Sequence, residues 1–151
     1  GDAAQSAAIL PYLEHADSGL RTVAAGALHG PQPEDVRQAL LRALEDPVLE
    51  VRLTVALTLT RLVPPEQRAA AVLREALSPA VFAAEHARDR SRFGQAELVS
   101  DIRVEVVRAF SRLGPSSEDA ARLEALRNDP DLAVAAAVRA VLETPAGEKA
   151  Q

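Results

Sequence analysis

At 151 residues the chain is long enough for one domain with a real core, or for four or five helix pairs sharing a core. Hydrophobic residues make up 48% and aromatics only 3%, so the core must be built from Ala, Leu and Val, while a net charge of −5, with Lys149 the only lysine, disfavours nucleic-acid and anionic-membrane partners. The absence of Cys excludes disulfides, thiol catalysis and thiolate zinc sites, and no apolar run approaches the roughly 18 to 20 residues that span a bilayer.

The elements follow in chain order. A helix over 3–15 is interrupted at Pro11, where a backbone donor is lost, with Tyr12 and Leu13 facing the core beyond it. Asp17-Ser18 supplies the cap for a helix over 19–29, and Gly30 follows it as a left-handed terminator. Pro33 opens a helix over 33–45, and Asp46-Pro47 precedes the next, over 48–62, with Asp as the capping acceptor and Pro in the first turn. Pro65 opens a helix over 65–77. A segment of about 78–99 then stands outside the pattern, with helix-forming composition from Ala80 to Arg90 and two of the chain's three phenylalanines, Phe82 and Phe93. Helices over 100–113, 117–127 and 131–143 complete the series, marked by Gly114, Pro115 and Asp129-Pro130, and residues 144–151 read as a disordered tail. The chain has no Met, even at position 1, so an excised piece or a processed product is expected, with Gly1 a candidate cloning remnant.

One phrase recurs four times. Leu20-Arg21, Val51-Arg52, Ile102-Arg103 and Leu132-Ala133 each open a stretch that continues with small or branched apolar residues four and five positions on. The starts are separated by 31, 51 and 30 residues, so the period is near 30 and one gap carries about 20 extra residues. A period of this size marks stacked helix pairs, which work mainly by offering an extended surface to a partner.

The turn Asp46-Pro47-Val48-Leu49-Glu50-Val51-Arg52, with Asn128-Asp129-Pro130-Asp131-Leu132 as a second copy, resembles the Asp-x-Asp-Pro-x-Val-Arg turn of HEAT repeats, in their short form. The resemblance covers about residues 3 to 143 and implies an all-α, right-handed α-solenoid of four HEAT-like pairs with an insertion in the third repeat, hence one repeat domain over 1–143 and a tail over 144–151. It also implies that Arg21, Arg52 and Arg103, with Asp46 and Asp129, form a structural ladder that registers adjacent repeats, a role suited to the guanidinium fork. An anion-binding ladder is the other reading of these arginines.

In HEAT solenoids the second helices line the concave surface. Shifting by the repeat spacing aligns Glu50, Thr54, Thr58 and Arg61 with Asp101, Glu105, Ala109 and Arg112, and with Asp131, Ala135, Arg139 and Leu142. Glu50, Thr54, Thr58, Arg61, Glu105, Arg112 and Arg139 are thus candidate partner-binding residues along a concave strip, although acids at helix starts and bases at helix ends also suit the helix dipoles with no ligand at all. The insertion offers Phe82, Arg88, Arg90, Arg92 and Phe93 as further contacts, or else forms an ordered cover with Phe82 buried. Glu85, His86 and Asp89 are too few for a convincing metal site, and neither metal nor cofactor is expected.

The function expected is a non-enzymatic protein–protein interaction module or assembly scaffold, soluble, its compartment unassigned with the cytoplasm preferred. Its partner would be another protein or a larger parent chain, not nucleic acid or membrane. The last helix, apolar almost all round, adds self-association as a candidate. The alternatives implied by similar families are an accessory, chaperone-like or maturation subunit related to HEAT-like bilin lyases, and a HEAT-like DNA-repair glycosylase.

Overall fold

The computed structural model describes residues 3–144. Every regular element among them is helical: α1 (Ala3–Ile9), α2 (Ser18–Gly26), α3 (Glu34–Ala43), α4 (Leu49–Arg61), α5 (Ala70–Glu75), α6 (Ala80–Asp89), α7 (Ala96–Leu113), α8 (Ser117–Ala125) and α9 (Leu132–Glu143), with short 3-10 turns at Leu10–Glu14, Gln67–Ala69 and Arg92–Gly94. The helices gather into two compact units, the first ending at Leu73 and the second beginning at Arg74. The tail expected over 144–151 lies outside the described residues beyond Thr144.

In the first unit, the expected helix over 3–15 gives way to a 3-10 turn at Leu10, because Pro11 has no N–H to continue the α-helical ladder. Leu13 is buried there, but Tyr12 is half exposed and lies flat beside His15, so only one of the two reaches the core. The Asp17 carboxylate caps α2 by accepting from the Leu20 amide (3.1 Å). Gly30 follows that helix at φ 69°, a conformation that costs glycine little, and its carbonyl accepts from the Val63 amide (3.3 Å), tying the end of one repeat to the end of the next. Ala25, Leu40, Leu49, Val51, Val55, Ala56 and Leu59 are fully buried. α2 and α4 pack side by side, close enough that a Cβ on Gly26 would touch the Thr54 methyl at 3.5 Å.

In the second unit, α7 is four residues longer at its start than the period predicts, because the insertion feeds directly into it. The insertion itself is ordered. α6 is followed by a turn in which Phe93 meets Phe82 edge to face, ring centres 5.3 Å apart. Gly94 passes so close to the His86 ring that a Cβ there would sit 2.6 Å from it, and the His86 Nδ1–H donates to the Ser91 carbonyl (2.5 Å). α7 packs on α9 and α8 on α9, burying Val106, Val107, Phe110, Leu123, Val134 and Val138.

Candidate functional site

The repeated arginines sit in the turns between repeats. Arg21 grips both carboxylate oxygens of Asp46 through Nε (2.7 Å) and Nη2 (3.0 Å), and its Nη1 donates to the carbonyls of His15 and Ala16. Arg103, two repeats later, does the same: Nη1 and Nη2 hold the Asp129 carboxylate (3.2 and 2.7 Å), while Nε and Nη2 donate to the Leu77 carbonyl (3.0 and 2.8 Å). Arg52 donates to the carbonyls of Asp46 and Pro47. In sequence, no Asp stands after Arg52 where the other two arginines have theirs. The acids lie 25 and 26 residues after their arginines, and the corresponding stretch after Arg52 reads Leu77-Ser78-Pro79.

Asp46 and Asp129 are therefore ladder residues, and not helix caps as their place before α4 and α9 suggests. Their side chains accept from the amides of Val48 and Asp131, two residues on, and tighten the turn. The cap of α9 is Asp131, which accepts from Ala133 and Val134. The guanidinium of Arg103, donating to Asp129, holds that carboxyl below the usual carboxylate range. A second cross-link of this kind joins α5 to α8, where Arg74 grips Asp119 at 2.6 and 2.9 Å, and Arg74 likewise keeps the Asp119 carboxyl low. The guanidinium donors of Arg21 and Arg103 are engaged by carbonyls and carboxylates of the protein itself, which favours the structural reading of the ladder over the anion-binding one.

The candidate concave residues divide. Arg61, Arg112 and Arg139 are exposed, and Glu50, Thr54 and Glu105 are partly covered. Thr58 is 1% exposed, because its hydroxyl donates to the Ala25 carbonyl (3.0 Å) across the α2–α4 packing, so it is withdrawn from any contact surface. Ala109 and Ala135 are buried as well. Glu105 and Arg112 pair with each other at 3.0 Å, and Arg139 donates to the Asn128 side chain.

What the second unit does expose is a groove of about 720 Å³ between α7 and α9. One wall carries Asp101, Val104, Arg108 and Ser111; the other is made of small residues, among them Ala133, Ala136 and Ala140. Residues three and four apart share a helix face, so burial of Arg103, Val106, Val107 and Phe110 aims Asp101 and Arg108 outward together. That signal was present in the sequence. The repeat alignment concealed it by stepping from 101 to 105 and 109, which drifts onto the buried flank.

For the insertion, the structure withdraws Phe82 (1% exposed) and Phe93 (4%) as contact residues: each is the other's packing partner. Arg88, Arg90 and Arg92 are exposed, Arg88 pairing with Glu85 at 2.7 Å. Beside the two rings, α6, the start of α7 and the Asp129–Asp131 turn enclose an apolar cleft of about 660 Å³. Among the described residues, no three His, Asp or Glu side chains converge as a metal site would require, and no helix is long and apolar enough to cross a membrane.

Comparison with known proteins finds one family. The family model for HEAT repeats matches residues 6–87, just over half of the chain. No curated protein and no solved structure matches. Helix pairs joined by arginine-gripped turns, at the spacing of the short repeat, agree with that match, and the chain belongs to the HEAT-repeat family.

Proposed function

We propose that the chain is a non-catalytic module that binds another protein, or part of a larger parent chain, through the exposed faces of its second helices. HEAT repeats generally mediate protein–protein interaction. The observation that carries the reading for this chain is the α7–α9 groove, where the second helices of two successive repeats leave an open, small-residue surface flanked by charge. Small side chains let a partner's backbone or helix approach closely, and the charges at its edge orient what docks. Affinity would come from many shallow contacts of this kind, with exposed Arg88, Arg90 and Arg92 of the insertion adding to them.

The test is affinity capture from lysate of the source cells, comparing the wild-type chain with Ala136→Arg, which fills the groove from an exposed position without touching the core. A protein captured by the first and lost with the second supports the groove. Undiminished capture moves the contact elsewhere, and the double variant Arg61→Glu, Arg112→Glu then asks whether the other second-helix charges carry it. One observation favours a second reading as an accessory or maturation subunit: the apolar cleft beside Phe82 and Phe93 has room for an apolar group. Titration with a linear tetrapyrrole, followed by its absorption spectrum, tests this; an unchanged spectrum removes it.

A further inference from the structure

The groove between α7 and α9 has a charge pattern that narrows what can fill it, provided the groove is a protein-binding surface as proposed above. Asp101 and Arg108 lie seven residues apart on one face of α7, about 10 Å along the axis, and both are exposed. Most arginines of this chain are engaged: Arg21, Arg74 and Arg103 grip carboxylates, and Arg112, Arg122 and Arg127 hold glutamates on their own helices or nearby. Among the described residues, Arg90 and Arg108 are the arginines with no partner, and Asp101 has none either. The groove thus presents one free anion and one free cation, two turns apart.

Such a pair is complementary to itself. In a two-fold (isologous) interface, residue i meets residue j of the partner copy and j meets i. Two α7 helices running antiparallel, with the axis passing near Val104, set each Asp101 against the Arg108 of the other copy. Each α7 then lies in the other copy's groove, against the alanine wall of α9, where Ala136 and Ala140 are exposed and short enough to admit a helix at close range. We propose that the occupant of the α7–α9 groove is a second copy of this chain, held by two reciprocal Asp101–Arg108 ion pairs across a two-fold axis at Val104.

The test is sedimentation velocity of the full chain over a concentration series up to about 100 μM, a range that detects micromolar association. Wild type is expected to dimerise, and more weakly as salt is raised. Asp101→Arg and Arg108→Asp each place like charges opposite one another twice, and should weaken dimerisation at least about tenfold. The decisive arm is the mixture: Asp101→Arg with Arg108→Asp makes both contacts attractive again, so two monomeric variants should form a 1:1 heterodimer. Circular dichroism confirms that each variant is folded. A wild type that stays monomeric overturns the proposal, as do single variants that dimerise undiminished or a mixture that fails to pair. A monomeric wild type that still loses a captured protein with Ala136→Arg leaves the binding function standing and refutes only self-association. If wild type and Ala136→Arg dimerise equally, the groove is not the interface and the proposal fails.

Discussion

Arg103→Ala removes the most deeply held rung of the ladder. Its side chain is 4% exposed and that of Asp129 9%, and the guanidinium supplies four hydrogen bonds, two to that carboxylate and two to the Leu77 carbonyl. Truncation strands a buried carboxylate and a buried carbonyl together, and breaking a buried pair by removing one partner costs about 3–5 kcal/mol. Asp129 keeps the Asp131 amide, which argues for the lower end, about 3 kcal/mol. The control is Arg127→Ala. Its pair with Glu124 is geometrically as good, at 2.6 Å, but the side chains are 36% and 55% exposed, so screening by water leaves it contributing little. In urea unfolding followed by helical ellipticity, the slope of about 1–3 kcal/mol per molar converts the first loss into a midpoint shift of roughly 1–3 M and leaves the control almost unmoved. Arg103→Lys should recover only part of the loss, since an ammonium cannot reproduce the planar fork. Equal shifts for Arg103→Ala and Arg127→Ala would refute the argument that burial makes the ladder structural.

Further predictions concern the core, acid stability and the insertion. Val55 is fully buried, so Val55→Asp places an unpaired charge in the first unit and should abolish its cooperative unfolding, read by the fluorescence of Tyr12, the only tyrosine in a chain without tryptophan; an unchanged transition would contradict the packing. Asp119 and Asp129 have folded pKa values lowered by Arg74 and Arg103, so their stabilisation is complete above the unfolded carboxylate value of about 3.9 and is lost as pH falls through the lower folded values. Asp129→Asn should accordingly flatten the fall in urea midpoint below about pH 4, and a slope equal to wild type would show that the carboxylate is not linked to folding. Gly94→Ala should displace the His86 ring from the Ser91 carbonyl and speed amide exchange in α6, measured by hydrogen–deuterium exchange; Arg90, which closes α6 at φ 44°, should by contrast give a gain of up to about 1 kcal/mol on Arg90→Gly.

The helix pairs were legible because each boundary carries a residue with one physical meaning. Gly30 and Gly114 adopt the left-handed conformation expected of them, Asp17 caps α2, and Pro11 ends the α-helical ladder where its missing donor requires. The exchange of roles between Asp129 and Asp131 was hidden because both are two-residue turn acceptors in sequence, and only the reach of Arg103 distinguishes them. The insertion misled in another way: a pair of phenylalanines in a polar segment reads as a contact surface until the turn at Ser91–Gly94 folds one ring onto the other. The groove was missed because a repeat alignment assigns one face to every second helix. In α4 the position of Thr58 is closed by α2, whereas in α7 the neighbouring face at Asp101 and Arg108 stays open.

The central claim, that the open α7–α9 face is where this protein is met by a protein partner, is tested most directly by photocrosslinking in source-cell lysate. Benzoylphenylalanine would replace Ala136 in the groove or Ala121 on the exposed side of α8, with products identified by mass spectrometry. The account predicts one specific protein adduct, a second copy or another chain, from position 136 and none from position 121. Adducts of the same species from both positions, or from 121 alone, would contradict it.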